Sequence, residues 1–91
     1  MYELVDITDV EVLGDQRLRL TFADGVIGDV RFDRTEWTGV LAPLADPEFF
    51  RQVYVHPESR TITWPGELDL APEPLYAQAR EHPVSRAHVG A

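Results

Sequence analysis

A chain without cysteine has no thiolate nucleophile, no thiolate metal site and no disulfide, so any chemistry must come from hydroxyls, imidazoles and carboxylates. The serines, Ser59 and Ser85, fall in a loop and in the C-terminal tail, and neither sits in a nucleophile elbow. His56 precedes Pro57 at the end of a predicted strand, where a surface turn residue is expected. His82 and His88 lie at the end of the last predicted helix and beyond it, and a metal centre built from the three histidines lacks a fixed set of ligands. Asp6, Asp9 and Glu11 gather carboxylates near the N-terminus, but without the glycine-bearing loop that a hard cation needs. They read as a solvated strand edge that discourages edge-to-edge pairing. No glycine-rich phosphate loop and no helical zinc-binding pair occurs. A non-enzymatic protein without metal or cofactor is expected.

The segment Trp64–Tyr76 concentrates two aromatics, three prolines and Asp69 in what reads as a strand-to-helix connection. Pro65 ends the strand by removing a ladder donor, Gly66 permits a sharp turn, and Pro72 opens a helix. Asp69 is placed to cap free backbone N–H groups of the loop or the helix start. Tyr76 is expected to lay its ring on a sheet and send its hydroxyl to this loop. If the segment binds anything, Trp64, Asp69 and Tyr76 are the residues that would do it. Trp37 and Trp64 also have the rings for a stacking platform, but their apolar neighbours favour the core.

The elements that position these residues follow from periodicity. Residues 2–12 read as a strand with Val5 and Ile7, then Val10 and Val12, on one face; the slip in parity predicts a bulge near Thr8-Asp9. Leu13–Gln16 is a turn. Leu18, Leu20 and Phe22 alternate with Arg17, Arg19 and Thr21, and a hairpin follows around Asp24-Gly25. A two-residue turn would put Asp29 opposite Leu20 on the core face. A three-residue loop pairs Phe22 with Val26, Leu20 with Gly28 and Leu18 with Val30, which keeps that face apolar and needs Gly25 in the left-handed region. Gly28 then leaves room for something packing across the sheet.

Residues 33–46 are irregular, with Trp37, Val40, Leu41 and Leu44 as expected core plugs. Asp46-Pro47-Glu48 starts a short helix reaching Gln52. Strands follow at 53–55 and 61–64, then a helix of about ten residues from Pro72 with Leu75, Tyr76 and Ala79 on its apolar face. The expected architecture is α+β: an antiparallel sheet of about five strands in β-β-β-α-β-β-α order, residues 1–82 forming one domain and 83–91 a frayed tail.

The apolar share of 44% and charged share of 26% place the chain among ordinary globular domains. No run approaches the roughly 18 apolar residues of a membrane span, and Met1–Asp6 is acidic rather than a signal peptide, so no membrane and a cytoplasmic location are expected. Net charge is −8, and all eight basic residues are arginine. Such a field disfavours nucleic-acid phosphates and favours a basic protein partner.

Trp64, Pro65, Asp69, Leu70, Pro72, Leu75 and Tyr76 match a W-P-N-G-x-D-(L/I)-x-P-x-x-L-Y ending, and Leu20-x-Phe22-x-Asp24-Gly25 with Gly28, Leu44, Asp46, Phe50 and Val53 match its earlier elements. Over roughly residues 4–80 the chain thus resembles a family of short bacterial proteins catalogued as domain of unknown function 2442. One departure is that Gly66-Glu67 replaces the family's Asn-Gly. The resemblance implies a compact α+β domain with no established enzymatic activity. Some relatives carry a following helix-turn-helix domain. Others stand alone beside a gene for a second small protein, as toxin–antitoxin pairs do. The chain ends at Ala91, so no DNA-reading domain of its own is expected.

The expected function is a protein-interaction module, antitoxin-like, that binds a small basic protein or a second copy of itself. The alternative is a small-ligand sensory or regulatory domain using the space opposite Gly28 or the Trp64–Tyr76 loop. An enzyme using Asp69 with Tyr76 or His56 lacks further catalytic partners.

Overall fold

The first three strands form because their apolar residues alternate and their turns carry residues able to take positive φ. A computed structural model describes residues 5–84. Strand β1 (Ile7–Gly14) pairs antiparallel with β2 (Arg17–Phe22), and β2 pairs with β3 (Ile27–Arg31). The predicted bulge is present as a register shift between Ile7 and Asp9. The three-residue hairpin register is also observed. Leu18 faces Val30, Leu20 faces Gly28, and the Phe22 N–H donates to the Val26 carbonyl at 2.8 Å. Gly25 has φ 95°. Asp24 Oδ1 accepts the Val26 N–H at 3.0 Å, closing the loop from the side chain.

Residues 33–46 wind into short 3₁₀ turns at Arg34–Glu36 and Gly39–Ala45. Trp37 and Leu44 are buried and Leu41 half-buried, but Val40 is 77% exposed. The i, i+3 face of a 3₁₀ turn puts Leu41 and Leu44 together and turns Val40 outward. Buried Gln16 ties this segment to the sheet: its Nε2 donates to the Leu44 carbonyl at 2.8 Å and its Oε1 accepts the Trp37 indole N–H. Helix α1 (Pro47–Phe50) starts as expected, with Asp46 Oδ1 accepting the Glu48 N–H at 3.0 Å.

The expected single five-stranded sheet is instead two three-stranded antiparallel sheets, β1–β2–β3 and β4–β5–β6. Strands β4 (Tyr54–Val55), β5 (Ile62–Trp64) and β6 (Leu68–Asp69) are too short to extend a ladder onto β1. The sheets meet through a hydrogen bond from the Ile7 N–H to the Arg60 carbonyl at 2.8 Å and through a shared core. Strand β6 lies inside the segment read as a connection. Gly66 (φ 88°) and Glu67 (φ 63°) turn the chain back, so that Leu68 faces Trp64 and Asp69 faces Thr63. Two successive left-handed residues are what an Asn-Gly pair supplies, so Gly66-Glu67 preserves the turn while placing a glutamate in that conformation.

Helix α2 (Pro72–Glu81) buries Leu75 and Ala79 against the first sheet. It crosses β3 at Gly28, where a Cβ would stand 2.1 Å from the Ala79 carbonyl oxygen. The chain then returns along β3: the Asp29 N–H donates to the His82 carbonyl at 3.0 Å and the Val84 N–H to the Ile27 carbonyl at 2.8 Å. Gln78 Oε1 accepts the Arg31 N–H at 2.7 Å. The outer edge of β3 is thus satisfied by its own chain. Pro83 and Val84, assigned above to a frayed tail, are part of this edge; residues 85–91 lie outside the described residues. No helix among the described residues is long and apolar enough to cross a membrane.

Candidate functional site

Trp64, Asp69 and Tyr76 are not brought together. Trp64 is fully buried in β5, its indole N–H donating to the Phe50 carbonyl at 2.9 Å, so it holds the end of α1 rather than a ligand. Asp69 is exposed on β6 and makes no side-chain hydrogen bond among the described residues. The expected cap is therefore absent: Ala71 holds the N-cap position of α2 with no side-chain bond. The extended strand carries the Asp69 carboxylate away from the helix start.

Tyr76 does lay its ring on the sheet, edge-on to Phe22 at 5.0 Å between centroids. Its hydroxyl donates to the Asp24 carboxylate in the β2–β3 loop, not to the Trp64 segment, because α2 crosses the first sheet. Arg80 stands 5.6 Å over the same ring. The Tyr76 hydroxyl, foremost, holds the Asp24 carboxyl below its ordinary range, and the same bond raises the Tyr76 phenol. A carboxyl lowered on folding stabilises above its unfolded pKa and loses that contribution as pH falls through its folded pKa. Tyr76→Phe should therefore return the Asp24 titration toward the usual carboxylate range and flatten the acid limb of the stability profile. Carboxyl NMR titration and thermal melts across pH would check this; an unchanged Asp24 titration would refute the link. The family-pattern residues Asp24, Gly25, Gly28 and Tyr76 are thus joined as architecture. Pro65 closes β5 and Pro72 opens α2.

One described surface that gathers unpaired carboxylates is the outer face of β4–β5–β6. Tyr54, Thr63 and Asp69 form one cross-strand row, with Thr63 buried between an exposed tyrosine and an exposed aspartate. His56, Glu58, Ser59, Thr63, Glu67 and Asp69 line an open cleft of about 480 Å³. His56 is fixed there, its Nδ1 accepting the Glu58 N–H at 3.0 Å, and its ring lies 6.4 Å from that of Tyr54. Glu58, Glu67 and Asp69 have no ion-pair partner among the described residues, whereas Asp6, Asp15, Asp29 and Glu48 each face an arginine. Sequence reasoning reached Asp69 but missed Tyr54, Glu58 and Glu67. They come from a strand and two separate turns, and only the β5–β6 hairpin gathers them. Among the described residues no group of His, Cys, Asp or Glu is arranged to hold a metal ion.

The model of a family described as "Protein of unknown function (DUF2442)" matches residues 7–81. No curated protein matches the chain. Among solved structures, the one described as "Crystal Structure of Putative DNA Binding Protein NE0471 from Nitrosomonas europaea ATCC 19718" is 31% identical, with a TM-score of 0.65 over 84% of this chain and 49% of that one. The chain therefore spans about half the length of that protein.

Proposed function

The chain belongs to the DUF2442 family, and from that premise we propose that it is a non-enzymatic interaction module that receives a basic segment of a partner protein on the outer face of β4–β5–β6. The observation that carries this is the cleft in which Glu58, Glu67 and Asp69 stand without counter-charges beside Tyr54, which is 40% exposed. Carboxylates next to an aromatic face suit the arginine or lysine side chains of a partner, by ion pairing and by cation–π contact. The same face repels its own copy, so it favours a heterologous partner over a homodimer. In its finer form the reading is antitoxin-like: a small basic protein encoded nearby, as the family resemblance implies.

DNA binding is named for the Nitrosomonas protein, of which this chain spans only about half. With a net charge of −8, the chain is not expected to bind nucleic acid directly. The two ligand sites considered from sequence lose support, since the backbone of α2 occupies the space at Gly28 and Trp64 lies in the core.

The test is co-expression with the neighbouring gene's product, tagging this chain alone. A stable complex is expected whose affinity falls with salt, since exposed charges are screened beyond about 10 Å at ~0.1 M. The combined variant Glu58→Gln, Glu67→Gln, Asp69→Asn should weaken it by between about threefold and about 150-fold, at roughly 0.2–1 kcal/mol for each exposed pair. Its melting temperature should stay near wild type, because all three groups are exposed. A chain that purifies alone, or a complex indifferent to these variants, would sink the reading.

A further inference from the structure

Within this acidic chain, the arginines are distributed unevenly against their counter-charges. Apart from Arg17 and Arg31, every described arginine faces a carboxylate or, for Arg80, the ring of Tyr76. Arg17 and Arg31 have no ion pair among the described residues, and they stand directly opposite each other across β2 and β3. Like charges in a cross-strand pair are destabilising, so this arrangement gains from an anion placed between them.

A cleft of about 450 Å³ opens beside the pair, where β3 meets α2. Gln78 and His82 line it from the helix side, and Leu13 adds an apolar side chain. Gln78 commits its Oε1 to the Arg31 N–H, which leaves its amide N–H groups as donors. His82 is held in place through its backbone carbonyl, which accepts the Asp29 N–H. Asp29 also borders the cleft, but its carboxylate is engaged on both oxygens by Arg19, at 2.8 and 3.2 Å. That bond, foremost, keeps its carboxyl below the ordinary range. With this charge answered, the remaining lining is cationic and rich in hydrogen-bond donors.

We propose that this cleft binds a small phosphate-bearing anion. Two arginines and an amide line the cleft from three different elements, β2, β3 and α2. A planar carboxylate accepts in one plane, whereas the terminal oxygens of a phosphate accept from several directions. The volume falls within the usual 300–1,000 Å³ of small-molecule sites, so an organic remainder fits against Leu13. None of the residues of the acidic face takes part, and the site stands or falls independently of partner docking there.

The experiment is titration of the chain with inorganic phosphate, pyrophosphate and adenosine monophosphate, followed by amide NMR shifts and thermal melts, with malonate and a DNA duplex run in parallel. Saturable shifts at Arg17, Arg31 and Gln78 are expected with the phosphate compounds, together with a rise in melting temperature. Arg17→Gln and Arg31→Gln should each weaken binding roughly tenfold, the scale of a lost hydrogen bond to a charged group, while Arg51→Gln should not. Without ligand, Arg17→Gln should melt slightly above wild type, because it relieves the like-charged pair, so loss of binding cannot be ascribed to misfolding. The proposal is overturned if no phosphate compound saturates, if malonate binds as tightly, if the duplex binds more tightly through the same residues, or if the arginine variants bind like wild type.

Discussion

Gly28→Ala should destabilise the chain by at least about 3 kcal/mol, the upper part of the range for overpacked positions, and lower its melting temperature by roughly 12–24 °C. The added Cβ would stand 2.1 Å from the Ala79 carbonyl oxygen and 2.7 Å from its Cα. These are backbone atoms of α2, so no rotamer change relieves the contact and the helix itself must move. The opposing term is small: replacing glycine by alanine inside a strand gains roughly 0.5–1 kcal/mol from the unfolded chain. Steric cost therefore decides the sign. Displacing α2 also strains the bonds from Asp29 to His82 and from Val84 to Ile27. Hydrogen exchange of these two amides should accelerate more than that of β1–β2. A variant melting within a few degrees of wild type would show that the helix does not rest on Gly28.

Trp64→Ala should cost about 3–5 kcal/mol, as for other buried tryptophans cut to alanine. That is a large part of the roughly 5–15 kcal/mol by which a small domain is stable. Trp64 has no exposed surface and packs on Phe50 at 5.9 Å between ring centroids. It also supplies the hydrogen bond to the Phe50 carbonyl at the end of α1. Trp64→Phe separates the two contributions: it keeps an aromatic ring but leaves that carbonyl unpaired, which should cost about 1–3 kcal/mol. Urea unfolding followed by circular dichroism measures both. Wild-type stability in Trp64→Phe would mean that the indole N–H is not structural and would revive a ligand-binding role for Trp64.

How far the sequence could be read is visible in these same positions. The β2–β3 register was legible because only one pairing keeps Leu18, Leu20 and Phe22 on an apolar face, and Gly28 emerged from it as the place where something must come close. The capping of α1 by Asp46 and the apolar face of α2 were legible too, since spacing alone places them. These are local or single-period signals, and they determined the α+β character of the chain. Where the signal was short or irregular, the reading failed. Strand β6 has two residues and no alternation, so Leu68–Asp69 passed for a connection, and Asp69 for a cap. Val40 looked like a core plug because apolarity alone does not say which face of a 3₁₀ turn it takes.

What packs against Gly28, which loop Tyr76 reaches, and that the sheet divides in two are long-range matters. Tyr76 and Asp24 are 52 residues apart, and only the crossing of α2 over the first sheet joins them. The two candidate surfaces belong to the same class. The acidic face needs the β5–β6 turn to bring Glu67 and Asp69 beside Tyr54 and Glu58, and the arginine cleft needs α2 to carry Gln78 and His82 to the edge of β3. Periodicity determines which side of an element a residue occupies, whereas the placing of one element against another depends on the volume and hydrogen-bonding of whole faces. Sites assembled from several elements are therefore decided only in the tertiary structure.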